Sequence, residues 1–195
     1  MNLEHVSYTG PEIDDAGLLA KLPKELASVL EKTNGFIQFH GGLHLRGACM
    51  APDWHSLRSA WLGEDAFHRL YPDVAPEDIP FGEDCMGDQF LLREGAVWRL
   101  FCETGELEPF EMTFTEFLDN AQDDPGEHLS LHPLLQFQRD GGKLQPGQLL
   151  SAVPPFCTEE SADGVVLTAA PSLERRRFLA DLARQMREGG DDDGG

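Results

Sequence analysis

Basic residues are scarce in this chain: 15 Lys and Arg stand against 35 Asp and Glu in 195 residues, a formal net charge of −20. Such a balance works against binding nucleic acid or an anionic membrane, and any partner recognised through charge is expected to be basic. Long apolar runs are missing too. No stretch approaches the roughly 20 residues that a membrane helix needs. The first residues, MNLEH, carry neither a basic nor an apolar leader segment, so no signal peptide is expected and the cytoplasm is the expected compartment. Cysteine is thin and scattered at Cys49, Cys85, Cys102 and Cys157, with no C-x-x-C pair. These read as reduced, buried, small apolar residues. The G-x-S-x-G, G-x-x-x-x-G-K-[ST] and G-x-G-x-x-G fingerprints are all lacking, which leaves serine-hydrolase and phosphate-loop readings without support.

What remains is ordinary for a globular chain: 41% hydrophobic and 26% charged residues, enough for one core with an appended lobe. Residues 1–16 are polar and acidic and are expected to be loose. Residues 17–33 predict a helix, since Leu22, Leu26, Val29 and Leu30 share a face, Pro23 suits a first turn and Asn34-Gly35 is a stop. Phe36-Ile37-Gln38-Phe39-His40 and Leu43-His44-Leu45-Arg46 around Gly41-Gly42 read as a hairpin. Asp53 is a candidate cap for a helix carrying Trp54, Leu57, Trp61 and Leu62, and residues 64–71 form a second short helix ended by Pro72.

Ile79-Pro80-Phe81 predicts a strand start, and Gly82 and Gly87 bracket an acidic turn of Glu83, Asp84 and Asp88. Three strands in meander order follow, near 88–92, 96–101 and 107–110. Thr113-x-x-Glu116 is a capping box for a helix carrying Phe114, Phe117 and Leu118. Asp123-Asp124-Pro125-Gly126 marks a boundary. Beyond it lie a short helix at 131–137, strands near 148–153 and 165–170, and a last helix capped by Ser172. The expected organisation is a loose segment at 1–16, a core at 17–125, an extension packed on it at 126–188, and a disordered tail at 189–195. The fold class is α+β: a central, largely antiparallel sheet with helices packed mainly on one face, which the added strands and terminal helix extend or cover.

The motifs in residues 17–120 resemble the SUKH superfamily, the Smi/Knr-type proteins. The likeness is carried by Leu22-Pro23 and Asn34-Gly35, by Ile79-Pro80-Phe81, by Gly87-Asp88, and by Phe114, Phe117 and Leu118 in T-F-T-E-F-L. It implies the scaffold just described. It also implies a non-enzymatic binding role, since many bacterial members are immunity proteins that neutralise a toxin domain, often a nuclease, and fungal members regulate cell-wall synthesis.

Catalytic and metal readings are weaker. His40 and His44 flank the predicted turn and His128 and His132 are four apart, but neither pair has the further ligands of a zinc site. Glu83, Asp84 and Asp88 lack the EF-hand spacing; Asp88 reads as a turn cap. Cys85 sits among acids, which would raise its pKa. Arg175-Arg176-Arg177 reads as a solvated helix face, and Trp98 or Val97 must face away from the core. No catalytic residue, metal or cofactor is expected. The leading expectation is an immunity protein for a basic toxin, with a cytosolic scaffold binding an endogenous protein second, a reading the extension at 126–188 favours, and an enzyme third. The carboxylates Glu64, Asp65, Asp73, Glu77, Asp78, Glu83, Asp84 and Asp88 are the expected partner-binding set.

Overall fold

In the computed structural model, which describes residues 4–192, the sheet grows strand by strand in sequence order. Strands β1 (Val6–Thr9), β2 (Phe36–Gln38), β3 (Leu43–Leu45), β4 (Ile79–Asp84), β5 (Gln89–Arg93), β6 (Ala96–Phe101) and β7 (Glu106–Thr113) form one seven-stranded sheet. Every neighbouring pair is antiparallel. With its helices this is an α+β fold. β1 falls in the segment expected to be loose, where its alternating Val6 and Tyr8 pair with Gln38 and Ile37 and make it an edge strand.

The side-chain alternation of β5 sorts the core into two layers. Phe90 and Leu92 point to one face, where they meet Leu26 and Leu30 of α2 (Lys24–Lys32) and Phe114 and Phe117 of α5 (Phe114–Asp123). The short α1 (Ala16–Leu19) adds Leu18 to the same layer. The single helix expected over 17–33 is thus two helices broken at Pro23, which caps α2 from outside. Leu91 points to the opposite face and packs with Leu100 and with Phe67 of α4 (Phe67–Leu70). The helix α3 (Leu57–Leu62) precedes it, capped by Ser56 rather than Asp53, so Trp54 stays outside the helix.

The chain after residue 124 is shared among the layers: Leu129 joins the first, while Leu134, Leu144, Leu150 and Ala152 gather around Cys85 and Met86 in a third cluster. α6 (Pro125–His128) and α7 (Leu131–Arg139) lead to a separate hairpin of β8 (Gln148–Val153) and β9 (Val166–Pro171). Pro133 sits in the first turn of α7, where its missing N–H costs nothing. The terminal α8 (Ser172–Asp192) places Leu179, Ala180 and Ala183 on Leu91 and Leu100. Trp98 is half-buried against this layer while Val97 is fully buried in the other. Of the tail expected to be disordered, 189–192 continue α8, and 193–195 lie outside the described residues.

The T-F-T-E capping box forms as expected, with the Glu116 carboxylate accepting from the Thr113 N–H at 2.8 Å. Asn34 and Gly35 do more than stop a helix. The Asn34 side chain accepts from Ala48 N–H and donates to Pro11 O. Gly35 has φ +76°, and a Cβ there would lie 2.5 Å from Leu45 O. Gly35→Ala therefore combines a left-handed backbone with a backbone clash, and is expected to cost at least about 2 kcal/mol. The check is the urea midpoint, which should fall with an unchanged slope.

Candidate functional site

The acidic turn between β4 and β5 is the most highly charged part of the interior. Glu83 is 1% exposed and Asp84 is 0% exposed, so an ionised carboxylate there must find donors. Glu83 finds them on three elements. Arg46, just after β3, donates from Nη2 to Glu83 Oε2 at 2.6 Å, and the same nitrogen reaches Gln89 Oε1 at 2.7 Å. Arg176 of α8 stands 3.6 Å from Glu83 Oε2, a charge contact beyond hydrogen-bond length. Both guanidinia lie over the Phe67 ring, at 5.5 and 4.9 Å from its centroid. The cations hold Glu83 well below the usual carboxylate range against the opposing effect of burial. Burial lowers Arg46 to about 10.

A line of imidazoles continues from Glu83. His44 Nδ1 is 2.9 Å from Glu83 Oε1, His44 Nε2 is 2.9 Å from His55 Nδ1, and His55 Nε2 is 2.9 Å from Asn34 O. A carbonyl only accepts, so His55 carries its proton on Nε2. His55 Nδ1 then accepts, and His44 donates to it through Nε2. That leaves His44 Nδ1 facing a carboxylate oxygen of Glu83, which can only accept while ionised. Burial pushes His44 down and the Glu83 hydrogen bond pulls it back up. Tyr8 and Trp54 pack around the pair.

Asp84 caps the turn. Its Oδ1 accepts from the N–H groups of Met86, Gly87 and Asp88 at 2.9, 3.1 and 3.1 Å. The capping role expected of Asp88 thus falls to Asp84, and Asp88 instead accepts from Cys102 N–H at 2.9 Å on the far side of β6. Arg99 Nη2 donates to Asp84, Asp88 and the Ser130 hydroxyl at 2.8, 2.9 and 2.5 Å. Burial and the Asp88 charge raise Asp84 to about 7, against the pull of Arg99 and the backbone donors. Burial first, then Asp84 and Asp88, push the Cys85 thiol well above its ordinary range, as its acidic neighbours imply. Its S–H donates to Ser130 O.

The tri-arginine run departs most from expectation. Arg175 and Arg176 are 2% and 4% exposed, because their positions on α8 face the sheet; Arg177, a further 100° round, faces out. Arg175 donates to Glu103 at 3.1 Å. Arg177 pairs with Asp65, and Arg184 pairs with Asp181 three positions earlier on the same helix.

The expected partner-binding set is correspondingly redistributed. Asp78 pairs with Arg93, Asp73 with Arg187 and Asp65 with Arg177, while Glu83, Asp84 and Asp88 are tied inside. Glu64 and Glu77 remain exposed without an ion-pair partner among the described residues. Glu83 and Asp84 are buried and hold the fold together, while Asp88 is partly exposed beside Arg99. His40 and His44 line one narrow cavity with Glu83 and Ser172, while the His128 ring lies tilted against Phe110 and His132 is exposed. Among the described residues no three His, Cys, Asp or Glu side chains are grouped to hold a metal ion. No helix there is long and apolar enough to cross a membrane.

An acidic surface lies elsewhere. From residue 100 to 138 the chain has no Lys or Arg, but it has nine acids. Glu106, Glu108 and Glu111 are exposed on β7, the free edge of the sheet. Glu116, Asp119 and Asp123 are exposed on α5, and Asp124 and Glu127 at α6. None of these eight forms an ion pair among the described residues; the ninth, Glu103, pairs with Arg175. The signal, a basic-free span of this length, is visible in the sequence but is easily hidden by the overall charge.

No protein-family model matches the chain, and no curated protein matches it. Among solved structures it is similar to the crystal structure of Atu4351 from Agrobacterium tumefaciens, at 16% identity and a TM-score of 0.53. The likeness covers 91% of this chain and 86% of that one, and at this identity it concerns the fold alone.

Two outcomes follow from the buried charges. Glu83→Gln leaves Arg46 and Arg176 without their counter-ion and is expected to destabilise by about 3–5 kcal/mol, read as a fall in Tm. His55 titrates near pH 4 rather than its ordinary 6.5, chiefly through burial. Its folded value is depressed, so it contributes roughly 3 kcal/mol above pH 6.5 that is lost as pH falls from 6.5 towards 4. Asp84, raised, works the other way: its contribution is present below its ordinary 3.8 and is lost as pH rises through about 7. Net stability therefore mixes the two, and the clean measurement is the NMR titration of the His55 ring. A midpoint at 6.5 or above would contradict the geometry.

Proposed function

We propose that this protein is a non-enzymatic binding module that neutralises a basic protein partner, in the manner of an immunity protein against a toxin that grips nucleic acid. The observation that carries this reading is the uncompensated acidic edge of β7, α5 and α6. A nuclease must present cations to phosphate, and a surface with eight unpaired carboxylates competes for those cations and speeds encounter with them. Three arginines and four carboxylates are buried, so nearly all of the net charge of −20 stays at or near the surface. The resemblance of residues 17–120 to SUKH proteins supports the same reading.

The test separates fold from interface. Charge reversal at Glu83 or Asp84 would unfold the protein and report nothing about binding. Glu108→Lys, Glu111→Lys and Asp119→Lys together alter exposed residues only and should keep Tm within a few degrees. The protein is captured with its partner at low salt from its native host, and the captured protein is then co-expressed with each form. The wild type should protect the host and release its partner as salt rises. The triple variant should bind at least tenfold more weakly and protect poorly. Unchanged binding and protection would remove this edge from the interface.

A further inference from the structure

A cleft of about 540 Å³ opens where the acidic edge meets the β8–β9 hairpin. Phe101 of β6, the turn at 129–133, and Phe156 and Cys157 beyond β8 form its walls, with Arg99 and Asp88 at its base. Its charge decides what it can hold. The Arg99 cation is already engaged by Asp84, Asp88 and Ser130, and its guanidinium lies 4.7 Å from the Phe101 centroid. Glu103 is shared with Arg175. Glu106 has only the Thr104 hydroxyl as a side-chain partner, so the wall carries a carboxylate with no counter-ion. An anionic ligand would meet three carboxylates. A purely apolar one would bury Glu106 without compensation, which is costly.

The rim is apolar. Phe156 is 44% exposed, and the cross-strand pair Val153 and Val166 just behind it is 59% and 65% exposed. Exposed large apolar residues gathered beside a cleft and ringed by carboxylates mark an interaction surface. Glu106 also belongs to the basic-free edge, so cleft and edge form one continuous face.

We infer that this cleft is the anchor pocket of that interface and takes an arginine side chain from a basic segment of the partner protein. The aliphatic stem packs between Phe101 and Phe156, and the guanidinium turns to Glu106. Arginine suits this site better than lysine because its planar, weakly hydrated cation stacks on aromatic rings and meets a carboxylate with two parallel donors. The inference rests on the reading of the protein as a binding module for a basic partner, and it specifies where that partner's central contact lies.

The test uses N-acetyl-arginine methylamide as a probe of the full chain in 15N NMR at low salt, with N-acetyl-norleucine methylamide and N-acetylglutamate as controls. The arginine probe should give saturable shifts confined to amides of the cleft, around Phe101, Glu106, Ser130 and Phe156, and the controls should not. Glu106→Gln and Phe156→Ser, both at exposed positions, should each weaken the probe at least fivefold without moving Tm. Shifts that spread along β7 and α5 without saturating, or that are the same in Glu106→Gln, would overturn the pocket while leaving the acidic-edge reading to its own triple variant. A probe that saturates the cleft while the triple variant still binds and protects would keep the pocket and discard the edge.

Discussion

Glu83 is the group on which the rest of the structure hangs. It draws His44 from β3, Arg46 from just beyond that strand, Arg176 from α8 and Gln89 from β5 onto one carboxylate. Burying these charges costs several kcal/mol per ion before any attraction is counted, so the cluster is not a cheap source of stability. What it supplies is uniqueness. The apolar contacts of Leu179 and Ala183 allow α8 to slide or rotate on the sheet, because Leu91 and Leu100 accept any apolar neighbour. A guanidinium at position 176 has one buried carboxylate to meet, and the Phe67 ring to lie on, in one rotation only. The extension is thereby locked to the meander through an ion.

The legible parts of this fold were those set by local periodicity and by single-residue stereochemistry. The β5–β6–β7 meander follows from alternation in FLL and AVWRLF; the α5 start follows from the Thr113–Glu116 box; the end of α2 follows from Asn34-Gly35. The illegible parts were those decided by partners distant in sequence. Arg175-Arg176-Arg177 looks like a solvated stripe because nothing nearby in sequence names Glu83 or Glu103, which lie 93 and 72 positions away. The same gap turned the acidic β4–β5 loop from an apparent surface into an interior. A chain so poor in bases offers a physical hint: once carboxylates are committed to a buried turn, the few arginines available are drawn to them. The site suffered more than the fold, since charge on a sequence does not say whether it is exposed.

Edge protection offers a competing account of the carboxylates on β7. A free strand edge invites pairing with another chain, and charged side chains with a proline blunt that tendency; Glu106, Glu108 and Pro109 fit it. The account does not extend to α5 and α6. Their backbone groups are satisfied within the helices or by the Glu116 and Asp124 caps, yet Asp119, Asp123 and Glu127 carry the same sign without an ion-pair partner among the described residues. Like charges crowded without counter-ions repel and lower stability. Protecting the edge explains the strand but not the helices beside it, whereas a shared basic partner explains both.

The division of labour between the two acidic regions bears on how the proposed binding module would adapt. The carboxylates of the β4–β5 turn, Glu83, Asp84 and Asp88, are buried or nearly so and bound to Arg46, Arg99 and Arg176. Each is tied to the backbone or to a second element, so exchanging one disturbs the fold. The carboxylates of β7, α5 and α6 form no ion pair among the described residues, and those other than the Glu116 and Asp124 caps can be exchanged singly at small cost to stability, since exposed groups away from such features change it by little. A binding protein that must follow a changing partner needs this arrangement: a scaffold fixed by interior ions, and a charged outer face whose residues are free of it. The cleft at Glu106 sits where the two meet, its base built from the Arg99 cluster and one wall from the free edge. That position gives it rigidity from below and variability from above, the combination an anchor pocket requires.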